Sequence, residues 1–244
     1  MPHRLHPSLS RIFQQASPED TIIFIDESYV APGEEFSDSF YSLVATAIKF
    51  KHLADTRDYL KEVAQSSYWH TTESMQTSEG QKRVEAMLNL CHGFGDSHSV
   101  ACLRPLQQDH DVEHARQDCL EKLITTITEQ DFSLNGIIFE ERYSQSDNDK
   151  DRNTLKRLRR LNVLPQGIPA AWVSPADETC LWIPDLVAYM YRRTLTHGGQ
   201  STAWFNKYLA EHCQILTVLP KPRLKGHFVW IYRYEFPGQP GTMP

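Results

Sequence analysis

Thr21-Ile22-Ile23-Phe24-Ile25-Asp26-Glu27-Ser28 decides how this chain is read. The β-branched and aromatic run suits a strand over Thr21–Asp26 buried on both faces, yet it ends on two carboxylates. A second run, Ile137-Ile138-Phe139-Glu140-Glu141-Arg142, repeats the pattern at the end of an expected strand, Leu134–Glu140. A third acidic residue, Asp185, lies in Leu181-Trp182-Ile183-Pro184-Asp185-Leu186-Val187-Ala188, near the head of an apolar helical stretch. Desolvating a carboxylate is expensive unless it is paired or bound to metal. Three such positions point to one divalent-cation centre.

Side chains alternate across a strand, so only one member of each acidic pair reaches a shared site. Asp26 and Glu140 are the expected members, with Glu27 and Glu141 in reserve. Asp185, just after Pro184, falls in the first turn of a helix, where Pro fits and the dipole favours a carboxylate. Oxygen donors of this kind suit Mg2+ or Mn2+. For each residue alone, an exposed charge or a helix cap is the competing reading.

The rest of the chain frames this site. Its 244 residues suffice for a substantial core. No apolar stretch approaches the ~20 residues of a membrane span, and the first residues lack a signal-peptide core, so a cytoplasmic protein is expected. Cys91, Cys102, Cys119, Cys180 and Cys213 are odd in number and widely spaced. They read as reduced, buried fillers rather than a zinc motif or a disulfide set. A net charge of −6 argues against a basic nucleic-acid coat protein but leaves a nuclease open.

Residues 1–20 read as a leader with a short helix near Leu9–Gln15, and residues 21–244 as one domain ending in a helix and strand extension. Ser28–Asp38 reads as a loop, and Phe40–Phe50 as a strand antiparallel to the first. Helices are expected over His52–Gln65 (apolar at Leu53, Tyr59, Leu60 and Val63), Gly80–Phe94, Asp111–Gln130, Asp149–Leu161, Glu178–Thr196 and Ser201–Cys213. Further strands fall at Ser97–Leu103, Ala170–Val173, Ile215–Leu219 and His227–Phe236. An opening hairpin followed by alternating strands and helices gives an α/β fold, a mixed sheet with helices on its faces.

At the acidic positions the chain resembles the bacterial family called "domain of unknown function 3800". Ile23-Phe24-Ile25-Asp26-Glu27-Ser28 is similar to its opening Asp-Glu-Ser strand, and Ile137–Arg142 to its later strand ending in Asp-Glu-Arg. Trp182–Tyr189 is similar to its closing helix, and Tyr68-Trp69-His70-Thr71-Thr72-Glu73 stands where the family has a His- or Lys-containing segment. The match runs over roughly residues 20–195, in order. It implies a ribonuclease H-like fold with a two-metal nuclease site, by analogy of fold. Glu140 stands where Asp is usual, and Trp182 and Pro184 also depart from the pattern.

Two further groups bear on chemistry. His70 suits phosphate positioning or leaving-group protonation, and Glu73 a further carboxylate; a helix start with a surface His is the plain alternative. Arg152, Lys156, Arg159 and Arg160 form a basic helical band for phosphates, or a solvated face. Arg192 and Arg193, two turns beyond Asp185, are expected to face the cleft. Lys221-Pro222-Arg223-Leu224-Lys225, ahead of Phe228, Trp230 and Tyr232, is a second basic patch. The phosphate-cradling, dinucleotide, nucleophile-elbow and His-Glu-x-x-His templates are absent.

The expectation is therefore a Mg2+- or Mn2+-dependent nuclease acting on RNA or DNA by a two-metal mechanism, in bacterial defence or a mobile element. The alternative is an inactive ribonuclease H-like binding partner in a defence or toxin–antitoxin system. A homodimer or protein partner through the C-terminal strand is a further expectation.

Overall fold

A computed structural model describes residues 6–33, 39–106 and 111–221. The buried run after Asp20 forms β1 (Thr21–Val30), which pairs antiparallel with β2 (Phe40–Lys49). β2 then pairs antiparallel with β3 (Ser97–Leu103). On the other side, β4 (Leu134–Glu140) lies parallel to β1, and β5 (Ala170–Val173) parallel to β4. β6 (Cys213–Val218) closes the far edge parallel to β3, giving six strands in the order β5-β4-β1-β2-β3-β6.

Alternation along these strands sorts the core into two layers. Ile22 and Phe24 of β1 and Ile138 of β4 face one side. There they pack with α1 (Pro7–Gln15), α2 (Leu53–Ala64), α4 (Ser78–Phe94), α7 (Trp182–Thr196) and α8 (Gln200–Trp204). Ile23, Ile25, Ile137 and Phe139 face the other side, against α5 (Val112–Thr128) and α6 (Gln145–Arg160). A strand covered on both faces has no polar side, which is why both runs read as continuously apolar. The expected mixed sheet with helices on both faces is borne out.

Several boundaries differ. β1 continues to Val30 where a loop was expected from Ser28, because Tyr29 and Val30 pair with Tyr41 and Phe40. The helix expected over Ser201–Cys213 divides into α8, a π-helical turn (Phe205–Leu209) and a 3-10 turn (Ala210–His212). Tyr59, expected on the buried face of α2, is exposed, and Thr56 is buried instead. α7 begins at Trp182, with Pro184 in its first turn where no intrahelical partner is lost. Ahead of it, buried Glu178 accepts two bonds from Arg57 of α2 (2.9 and 2.6 Å), fixing α7's entry.

Leu9 and Ile12 of α1 are fully buried, and Ile12 rests against Gly136 of β4, where a Cβ would approach within 2.6 Å. Four cysteines are buried, Cys213 is partly so, and all five are free. Among the described residues no helix is long and apolar enough to cross a membrane. The expected strand at His227–Phe236, its partner surface and the patch from Pro222 onward lie outside the described residues.

Candidate metal centre

The parallel register of β1 and β4 sets Ile25 beside Phe139, so the next residues, Asp26 and Glu140, emerge side by side. Both share the parity of Phe24 and Ile138 and therefore face the α7 layer. Asp185, from the first turn of α7, meets them there, and the three half-buried carboxyls line a cavity of about 900 Å³.

The Asp26 and Glu140 carboxyls are hydrogen-bonded to each other. Burial pushes Asp26 well above the usual carboxylate range, and the neighbouring Glu140 and Asp185 push it further, against a smaller pull from Arg116. Burial, then the Asp185 charge, raises Glu140 to about 7. Burial also raises Asp185, opposed by hydrogen bonds from Thr71 and by nearby His70. Without a cation the pair therefore favours a shared proton. Like charges held together out of water favour either protonation or a bound cation.

Asp185 is held by Thr71, whose backbone N and Oγ1 donate to Oδ2 at 3.0 and 2.7 Å. Thr71 opens the short helix α3 (Thr71–Ser74) and accepts a bond from Trp69 Nε1 at 3.0 Å. His70 precedes it and lines the cavity. Glu73, expected as a further carboxylate, is exposed outside the cavity lining and accepts a bond from the Tyr68 hydroxyl, because α3 turns that position outward.

Glu27 points to the other face, as alternation requires. Its carboxylate accepts a bond from the Tyr41 hydroxyl (2.6 Å) and pairs with Arg116 of α5. Arg116 in turn makes a bidentate pair with buried Asp151 of α6, at 2.8 and 2.7 Å, and donates to Tyr41 at 2.8 Å. Trp172 Nε1 donates to the same Asp151 at 3.4 Å. This buried network anchors the end of β1 and occupies Glu27. Glu141 is exposed on the cavity rim, its backbone N bonded to Val173.

Of the basic residues expected to hold phosphates, Arg192 lines the cavity, joined by Arg193. Arg152, Lys156, Arg159 and Arg160 are not in its lining. Arg152 pairs with Asp149 and lies over the Trp172 ring, and Arg159 donates to the Ile168 carbonyl, because α6 packs against the β4–β5 edge of the sheet. Exposed Tyr29 and Tyr143 flank the opening. Thr71 and Arg116 escaped the sequence reading. The only signal for Thr71 was its place beside His70 at a helix start.

No family model matches the chain, and no curated protein matches it. Among solved structures, ribonuclease H2 from Pyrococcus horikoshii OT3 aligns at 13% identity with a TM-score of 0.44, covering 77% of each chain. Bst-RNase HIII in complex with Mn2+ aligns at 12% identity with a TM-score of 0.42, covering 85% of this chain and 68% of that one. What the described residues themselves show is a six-stranded mixed sheet with helices on both faces.

Proposed function

We propose that this chain is a divalent-cation-dependent nuclease that hydrolyses phosphodiester bonds in RNA or DNA. The observation that carries the reading is the meeting of Asp26, Glu140 and Asp185, from two strands and a helix, in one open cavity. The donor set is all oxygen, which fits Mg2+ or Mn2+. Bound there, such ions supply Lewis acidity and a water ionised at neutral pH. Asp26, Glu140 and Asp185 are the ligands, and Glu141 is the carboxylate available for a second ion. Glu27, held by Arg116 and Tyr41, is a structural anchor.

The remaining lining suits a polyanion. Arg192 and Arg193 sit on α7 beyond Asp185, and Arg193 Nε is buried with no hydrogen-bond partner. Together they hold the backbone phosphate, while His70 is placed at the rim for the leaving oxygen. Tyr29 and Tyr143 offer exposed rings on which bases stack without sequence preference. The motifs resembling the "domain of unknown function 3800" family support the same reading, and a cytoplasmic, bacterial-defence or mobile-element setting goes with it.

Glu140, one methylene longer than the Asp usual in that family, favours the second reading, a protein that binds nucleic acid without cutting it. Incubation of wild-type and Asp26→Asn protein with labelled single-stranded RNA, single-stranded DNA, their duplexes and the hybrid, in Mg2+ or Mn2+, separates the two. Cleavage by wild type that falls to background in the variant supports the nuclease. Retention of nucleic acid with no cleavage supports the binding protein, and undiminished cleavage by Asp26→Asn removes the centre from the account.

A further inference from the structure

A second cluster of ligating side chains lies at the far edge of the sheet, apart from the carboxylate cavity. His92 sits in the last turn of α4, and Glu211 and His212 immediately precede β6. Their ligand atoms all lie within 4.8 Å of one another. Glu211 Oε1 is 3.3 Å from His92 Nδ1 and 3.2 Å from His212 Nε2. The two imidazoles stand edge to face with centroids 5.3 Å apart. We propose that His92, Glu211 and His212 form a zinc site that ties the end of α4 to the edge strand β6.

The distances suit a tetrahedral ion. Zn–N and Zn–O bonds of about 2.0–2.2 Å place neighbouring donors about 3.3–3.5 Å apart, close to the separation Glu211 Oε1 already has from each imidazole nitrogen. Two imidazoles and a carboxylate select Zn2+ over Mg2+, which prefers oxygen alone. The C-terminal end of a seventeen-residue helix adds favourable negative potential for a cation. His92 Nδ1 donates to the Tyr208 carbonyl at 3.2 Å, a bond that fixes the ring and gives way when that nitrogen ligates an ion. Tyr208 belongs to the π-helical turn Phe205–Leu209, a departure from regular helix that is common at functional sites. All three side chains reach solvent, at 39%, 65% and 26% exposure, so an ion enters without unfolding.

The test is Zn2+ calorimetry in excess Mg2+, which occupies the carboxylates, alongside the visible spectrum of the Co2+-loaded protein. Wild type and Asp26→Asn are expected to bind one Zn2+ equally and to give the intense absorption of four-coordinate Co2+. His92→Ala and His212→Ala are expected to weaken Zn2+ by at least about tenfold, since even outer-shell partners cost 10–100-fold. Glu211→Gln, at the most exposed of the three positions, preserves shape and carries the test if either histidine variant misfolds. Wild type that takes up no Zn2+, or a folded variant of any of the three that binds as wild type does, overturns the proposal.

Discussion

The carboxyls of Asp26 and Glu140 share a hydrogen bond across the ends of two parallel strands. Such a bond forms only while one partner is neutral. Glu140, raised to about 7 from 4.5, binds a proton more tightly in the folded chain than in the unfolded one. In the cation-free protein, stability therefore falls as pH rises from about 4.5 through about 7, by on the order of 1–3 kcal/mol. Urea unfolding in chelator across that range measures it. Glu140→Gln is expected to flatten the fall, and added Mn2+ to restore stability at pH 8.

Thr71 positions Asp185 by two hydrogen bonds to one oxygen. Thr71→Val removes the hydroxyl donor and the acceptor for Trp69, and is expected to weaken Mn2+ binding about 10–100-fold. Thr71→Ser is expected to recover most of it. Calorimetry on both variants, with circular dichroism to confirm folding, separates a positioning role from a loss of stability.

The Arg116–Asp151 pair is almost wholly buried. Asp151→Asn leaves the guanidinium short of its bidentate partner and is expected to cost about 3–5 kcal/mol. Arg116→Met with Asp151→Leu is expected to cost less than the two single changes summed, since the fully buried charge goes with its partner and only the part-exposed Glu27 loses its arginine. Urea midpoints for the double-mutant cycle decide it.

Gly80 opens the way from α3 to α4 at close quarters. A Cβ there would stand 1.9 Å from the Ser74 carbonyl oxygen, a backbone atom that cannot swing aside. Gly80→Ala is expected to destabilise the protein by about 1–3 kcal/mol or more. It also shifts α3, so Mn2+ affinity falls with it; parallel melting and calorimetry check both.

The sheet was legible because burial on both faces leaves a strong local mark. Ile22–Ile25 and Ile137–Phe139 announce central strands, and period-two alternation then separates Asp26 from Glu27 without any contact being known. α5 was readable from its apolar spacing, but Arg116 on it was not. An arginine in an amphipathic helix reads as solvent-facing, and its burial depends on Glu27, Tyr41 and Asp151 arriving from three other elements. The basic residues of α6 misled for the converse reason. Charge density along a helix does not say which way the helix faces, and Arg152 and Arg159 are spent on Trp172 and Ile168. Thr71 was silent because its role is a contact across more than a hundred residues.

The central claim is that Asp26, Glu140 and Asp185 hold a divalent cation together. Mn2+ titration of the wild type and of Asp26→Asn and Asp185→Asn, followed by calorimetry at pH 8, tests it most directly. The account predicts that wild type binds Mn2+ and that each substitution weakens the binding at least about tenfold. Equal Mn2+ affinity in folded wild-type and variant proteins would contradict it.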